Sequence, residues 1–164
     1  MHQGAKDMDA LPFLKKAFLA IGTAKVATSA EEAKEAGFFS PQDGISMSRD
    51  HQLADAKAVC IGLAEGGFRP PRPATFFLPG RSGAATIDMM LYDMQLNHQI
   101  SEHDRLIGKK LASVLTGGDT SASVATTEAR LLELELEAFL SLCGEEKTQA
   151  RIEHMLLKGK PLRN

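Results

Sequence analysis

The sequence predicts a mainly α-helical fold. Apolar residues recur at spacings of three and four along most of the chain, which is the period of one helix face. Cap-forming residues such as Ser29 and Ser101 precede these runs, and glycines such as Gly37 and Gly144 follow them. The length of 164 residues and the hydrophobic content of 43% suffice for one domain with a core or for two small helical lobes.

Two helices are predicted before residue 38. The first spans residues 10–21 and ends at Gly22. Its apolar face is formed by Leu11, Leu14, Phe18 and Ile21. The second is short: Ser29 caps its start, Glu32 completes a capping box, and Gly37 supplies the left-handed residue at its end.

A third helix is predicted to begin at Ser48 or Asp50 and to end at Gly66, after a very short extended piece at residues 45–47. Its apolar face is formed by Leu53, Ala56, Cys60 and Leu63. Residues 68–79 then contain four of the seven prolines. Proline disfavours helix, so this segment is predicted to be an extended linker that is packed down by its phenylalanines.

The second half of the chain is predicted to be all-helical. Four helices are expected: residues 83–98, residues 101–116, a Leu-rich helix from Thr126 or Thr127 to residue 143, and residues 148–158. Ser101 and Asp104 form a capping pattern at the second of these. Residues 119–125 are predicted to be a polar loop.

Composition excludes several classes of function. The net charge of −2 lacks the basic excess of a nucleic-acid-binding protein, and one Tyr with no Trp gives little for bases to stack on. No apolar run approaches the roughly 20 residues that span a bilayer, and the N-terminus lacks a signal-peptide pattern, so a cytoplasmic protein is predicted. Cys60 and Cys143 are interpreted as two reduced, buried thiols.

Candidate chemistry is sparse. His98 and His103 are interpreted as solvated helix ends rather than metal ligands, and His154 as a surface residue. The glutamates look like first-turn charges and a solvated face. Three methionines are read as core filling in preference to an adaptable binding groove; they are Met89, Met90 and Met94. No metal ligand set is predicted.

The Gly-rich turn at residues 79–83 precedes a helix and leaves two interpretations open. Backbone amides at a helix start, with Arg81 beside them, can hold a phosphate. Gly and Ser before a helix are also ordinary capping residues, and this second interpretation is favoured. A similar turn at residues 117–120 is a weaker anion candidate.

Several motifs of the first half resemble the enoyl-CoA hydratase, or crotonase, family. They are residues 29–37 (SAEEAKEAG), 43–45, 49–50 and 53–58. In that family a similar helix follows the active-site region, and a turn and the long C-terminal helix come next. The first half is therefore similar to the C-terminal part of a crotonase-like domain.

Motifs of the second half look like the C-terminal tail of bacterial multifunctional fatty-acid oxidation proteins. They are residues 78–83, 100–104, 107–111, 115–119, 150–156 and 159–164. Those proteins join an N-terminal 3-hydroxyacyl-CoA dehydrogenase to a C-terminal hydratase-like domain. The resemblance implies C-terminal crotonase-like helices at residues 1–67, a Pro-rich linker at 68–79, and a helical tail of about four helices at 80–164.

The resemblance implies no catalytic residue in this chain. The family's glycine-rich nucleotide-binding turn, its catalytic His-Glu pair and its oxyanion-hole amides have no matching positions here. The parent protein would use NAD and an acyl-CoA substrate, whereas this chain is expected to bind no cofactor firmly by itself. CoA phosphates, if contacted at all, are assigned to Arg81, Ser82 and Gly83.

The leading hypothesis is a C-terminal helical fragment of a β-oxidation enzyme that is inactive alone. It would complete the acyl-CoA site and contact the upstream domains or another subunit, and its exposed apolar surface would favour self-association. Two alternatives remain open: a stand-alone helical module that binds a partner through the Leu-rich helix, and a small acyl-CoA-binding protein.

Overall fold

The computed structural model describes residues 9–121 and 124–164, and helices dominate it. The helices are α1 (Leu11–Gly22), α2 (Ala30–Ala36), α3 (Gln52–Glu65), α4 (Gly80–Leu96), α5 (Glu102–Leu115), α6 (Glu128–Cys143) and α7 (Glu146–Lys158). The predictions of a mainly α fold and of four helices after residue 79 are confirmed. None of the helices in these two ranges has the length and hydropathy needed to cross a bilayer.

A small antiparallel sheet corrects the all-helical prediction for the second half. Strand β1 (Thr75–Phe77) pairs with β2 (Ala125–Thr127), so that Thr75 lies opposite Thr127 and Phe77 opposite Ala125. Strand β1 thus lies in the predicted linker, and β2 lies where the predicted polar loop meets the predicted start of the Leu-rich helix. Each strand has three residues, which is too short for a sequence period to reveal. Residues 45–47, predicted as extended, form no strand.

The chain divides into two compact units. Unit one contains the described residues 9–24 together with Pro73–Asn164, and unit two is Lys25–Arg72. The predicted boundaries at residues 67 and 79 concern the domains of a longer enzyme and stay a prediction. The compact units begin and end elsewhere because α1 packs on α5, far away in sequence.

The core of unit one lies between α1, α4 and α5. Phe18, Ile87, Leu91 and Ala112 are buried together there. α4 and α5 approach closely because Gly108 offers no side chain to Leu91: a Cβ at residue 108 would lie 2.8 Å from both Leu91 methyl carbons. The predicted face of α1 is only partly right, since Phe18 is buried whereas Ile21 is exposed.

Unit two is fixed by local hydrogen bonds. The Ser29 hydroxyl accepts from the Glu32 amide at 3.1 Å, and Gly37 has a φ of +85°, as predicted for the two ends of α2. The Glu32 carboxylate accepts from the Thr28 amide and hydroxyl, at 2.8 and 2.7 Å, so it caps one residue earlier than predicted. Both hydrogen bonds lower the pKa of Glu32. The ends of α2 therefore follow from sequence alone.

Helix α3 has no buried residue. Its large apolar side chains Leu53, Val59, Ile61 and Leu63 are all exposed, Leu53 by 82%. Cys60 is exposed too, which corrects its prediction as a buried thiol; Cys143 is half-buried, and both thiols are free. An apolar helix that contacts so little gains almost no free energy from burial in this chain.

Gly108→Ala tests the close approach of α4 and α5. We expect this variant to lose about 1–3 kcal/mol of unfolding free energy in urea titrations, because the new methyl group overlaps Leu91. The loss should be smaller in a Leu91→Val background, which lacks the overlapping methyl carbons. Gly62→Ala in α3 is the matched control, since nothing lies within 4 Å of its new Cβ. Because Ala is favoured over Gly inside a helix, the comparison is made with this control, and equal stability changes for Gly108→Ala and Gly62→Ala would contradict the packing described.

Candidate functional site

The Gly-rich turn at the start of α4 is held against the loop after α5. The Gly80 amide donates to the Thr116 carbonyl at 2.8 Å, and the Arg81 amide donates to the Thr120 carbonyl at 3.0 Å. Gly80 has a φ of +58°, and a Cβ there would lie 2.0 Å from the Thr120 oxygen. The structure thus brings together the two turns that the sequence singled out at residues 79–83 and 117–120. Two backbone donors of the turn are already used.

Two side chains of this turn are polar and accessible. Arg81 Nε contacts Asp119 Oδ1 at 2.8 Å, and both side chains are more than 70% exposed. Such surface pairs contribute about 0–1 kcal/mol. The Ser82 hydroxyl donates to the Pro79 carbonyl at 2.8 Å. The two Nη groups of Arg81 have no partner among the described residues, so they are the donors that an anion would meet first.

Gly83 has a packing role in the same turn. A Cβ at this position would lie 2.4 Å from Pro79 Cγ and 3.1 Å from Thr116 Cγ2. Glycine is therefore required here by the approach of neighbouring atoms, as it is at Gly80. Both positions support the structural interpretation of the turn, and the phosphate assignment to Arg81, Ser82 and Gly83 stays a prediction.

A second polar cluster joins the start of α5 to α7. Ser101 and Asp104 form the predicted capping box, with amide-to-side-chain distances of 2.9 and 3.1 Å. The other oxygen of Asp104 accepts from Arg151 Nη1 at 2.7 Å. Arg151 Nε in turn donates to the Asn164 side-chain oxygen at 2.7 Å. One carboxylate therefore both caps α5 and fixes α7.

His103 is the buried member of this cluster. It is 4% exposed, and its Nε2 lies 2.9 Å from the Thr148 hydroxyl of α7. This corrects its prediction as a solvated helix end. The cause is tertiary: α7 covers the first turn of α5, and sequence spacing within α5 does not reveal that. His154, predicted at the surface, is half-buried, with Nδ1 2.8 Å from the Lys160 carbonyl.

Burial and neighbouring charge set the electrostatics of the cluster. Burial lowers the pKa of His103, and the nearby cations Arg151 and Lys147 lower it further. For Asp104, burial alone raises the pKa, but hydrogen bonds from Ser101 and Arg151 outweigh it and lower the pKa below its usual value. A neutral imidazole beside an ionised carboxylate could transfer protons, yet each is held by a helix contact. The arrangement fastens α7 rather than presenting an open site.

Other predicted candidates stay apart from these clusters. Met90 packs against the core as predicted, whereas Met89 is 75% exposed and corrects the core assignment for that residue. Within residues 9–121 and 124–164 no three His, Cys, Asp or Glu side chains lie together as a metal site would need.

The His103 environment predicts a pH dependence of stability. The pKa of His103 is lowered in the folded chain, whereas the unfolded chain has the ordinary histidine pKa of 6.5. When the pH falls below 6.5, the unfolded chain therefore binds more protons than the folded chain does. Stability from this group is therefore complete above that pH and is lost as the pH falls through it. Urea unfolding from pH 8 to pH 5 should show this fall, and His103→Gln should flatten it.

The same substitution at the exposed His51 controls for loss of one imidazole. Thr148→Val removes only the hydrogen bond and should cost about 1 kcal/mol at neutral pH. A pH profile identical in His103→Gln and wild type would contradict the burial of this side chain.

Comparison with known proteins gives a relative that matches most of this chain. No family model matches the chain, and no solved structure matches it. A probable 3-hydroxyacyl-CoA dehydrogenase of Bacillus subtilis (strain 168) is 48% identical over 149 residues. The match covers 91% of this chain but 19% of that protein, so the chain spans about a fifth of the relative's length. The dehydrogenase part of the resemblance is confirmed at this level: the chain is similar to one segment of such a protein.

Proposed function

We propose that this chain acts as the C-terminal helical part of a 3-hydroxyacyl-CoA dehydrogenase of fatty-acid β-oxidation and is inactive alone. The observation that carries the proposal is the 48% identity over 149 residues to the Bacillus subtilis protein. Identity at this level extends over almost the whole chain, including both compact units.

A contact role is supported by the apolar surface of unit two. Among the described residues of unit two, Ala33 is the only apolar residue that is buried. Large apolar side chains are exposed on α3 and in the segments before and after α2 and α3. These include Val26, Phe38, Phe39, Met47, Leu53 and Phe68. Covering such side chains gains about 25 cal/mol per Å² of apolar surface. We assign this surface to the upstream domains of the enzyme; in the isolated chain it favours self-association.

The residues present do not fit NAD. Dinucleotide binding uses a glycine-rich turn between a parallel strand and a helix. The strands formed by the described residues are three residues long and antiparallel. In the glycine-rich turn at the start of α4, the Gly80 and Arg81 amides already donate to the Thr116 and Thr120 carbonyls. In this proposal the nucleotide and the reacting groups are therefore held by the remainder of the enzyme.

The first half of the chain also resembles part of a hydratase domain. The motifs at residues 29–37 and 53–58 resemble the C-terminal helices of crotonase-like domains. We infer that residues 1–67 continue such a domain, that residues 68–79 link it to the helical tail, and that the protein acts in the cytoplasm. The exposed α3 is consistent with a helix whose partner helices lie elsewhere in the enzyme.

Acyl-CoA contact is assigned to the α4 turn. The Nη groups of Arg81 and the Ser82 hydroxyl face outward from a helix start, where partial positive charge favours phosphate. Asp119 opposes this, because its carboxylate lies 2.8 Å from Arg81 Nε. A phosphate would compete with Asp119 for the same guanidinium.

Competition between a phosphate and Asp119 for Arg81 can be tested by CoA binding, and the proposed inactivity of the isolated chain can be tested by an enzyme assay. CoA titrated against the chain, with binding read by calorimetry, should bind more weakly to Arg81→Gln and more strongly to Asp119→Asn. Neither change should alter folding, because both side chains are more than 70% exposed. Equal CoA binding by the three proteins would overturn the site assignment alone.

NAD-dependent oxidation of a 3-hydroxyacyl-CoA by the isolated chain would overturn its proposed inactivity.

A further inference from the structure

Helix α6 carries two apolar faces. One face packs within unit one, where Leu134 lies against Gly118 and the half-buried side chains are Leu131, Leu134, Ala138 and Leu142. The other face is uncovered: Leu132, Leu136, Phe139 and Leu140 are each 58–61% exposed. Their spacing of four, three and one residues places them in one stripe along the helix. A helix that served only the core of unit one would need a single apolar face.

Helix α7 extends this stripe into a groove. A shallow, solvent-open depression of about 450 Å³ lies along α7 and reaches the end of α6 at Cys143. Its lining residues are Cys143, Gln149, Ile152, Glu153, Leu156 and Leu157. Cys143 lies one turn beyond Phe139 and Leu140, so the stripe and the depression are continuous. We call this surface, formed by residues 132, 136, 139, 140, 143, 152 and 156, the α6–α7 groove.

The rim of the α6–α7 groove is acidic. On α6 the stripe is bordered by glutamates on both sides, at positions 128 and 135 on one side and 133 and 137 on the other. Glu153 adds a carboxylate from α7. Arg130 is the basic residue of α6, and its guanidinium is held by Glu133 at 2.9 Å and Glu137 at 3.2 Å. On the α6 side the four glutamates therefore outnumber the single cation.

We propose that the α6–α7 groove docks an amphipathic helix of a partner protein whose apolar stripe is flanked by Lys and Arg. The groove supplies apolar contacts spaced for a helix, and the carboxylate rim selects basic flanks by charge complementarity. The same rim disfavours a second copy of α6, because the pairing would bring like charges together. The inference stands on the geometry of unit one and is independent of the proposed dehydrogenase role.

Two synthetic peptides test the proposal on the full chain. Both place leucines at spacings of three and four over about five turns; one carries Lys beside the stripe, and the other carries Glu at the same positions. Fluorescence anisotropy of the labelled Lys peptide should show saturable binding that weakens as salt is added. The Glu peptide should bind at least about tenfold more weakly. Equal binding of the two peptides, or no binding of either, would overturn the proposal.

Matched variants locate the binding surface. Leu136→Lys should weaken binding of the Lys peptide about tenfold or more, whereas Leu53→Lys on the exposed α3 should leave it unchanged. Leu140→Lys, at a 61% exposed position, repeats the test if the first variant unfolds. Unchanged binding by both groove variants would contradict the assignment. Light scattering that shows a dimer lost specifically on Leu136→Lys would assign the groove to a second copy and also overturn the proposal.

Discussion

The close packing of α4 on α5 is the constraint on which the rest of unit one depends. Gly108 lets the two helices approach, and Leu91 fills the space against it. α1 then buries Phe18 on the same pair, and α6 also packs on α5. The end of α5 also pins the start of α4, since the Thr116 carbonyl accepts from the Gly80 amide. A side chain at residue 108 would therefore disturb several contacts together.

Polar contacts attach the periphery to this pair. Asp104 caps α5 and binds Arg151 of α7, while buried His103 reaches Thr148. These bonds orient α7 beside α6 and so shape the groove between them. Unit two lacks an equivalent core; capping bonds fix the ends of α2, whereas α3 has neither a side-chain cap at its start nor a buried residue. The contrast agrees with the proposed role: unit one has a buried core of its own, whereas unit two has a single buried apolar residue, Ala33.

The structural features that depend on local interactions were predicted correctly from the sequence. The caps at Ser29 and Ser101, the left-handed Gly37 and the four helices after residue 79 are all encoded within a few residues of where they act. Contacts between segments that are distant in the chain were not predicted. The pairing of β1 with β2, the burial of His103 and the juxtaposition of the two glycine turns depend on segments distant in the chain. The spacing of apolar residues in α3 predicted a helix with one buried face. Such spacing shows that a helix is amphipathic, but it does not show which surface, in this chain or another, covers the apolar face.

Unit one has its own core, whereas we propose that α3 needs a partner surface outside this chain. Amide hydrogen exchange on the dilute, isolated chain tests it most directly, because protection reports local opening free energy. The account predicts that amides of α4 and α5 exchange slowest and that those of α3 exchange near the rates of an unfolded chain. Protection of α3 equal to that of α5 would contradict it.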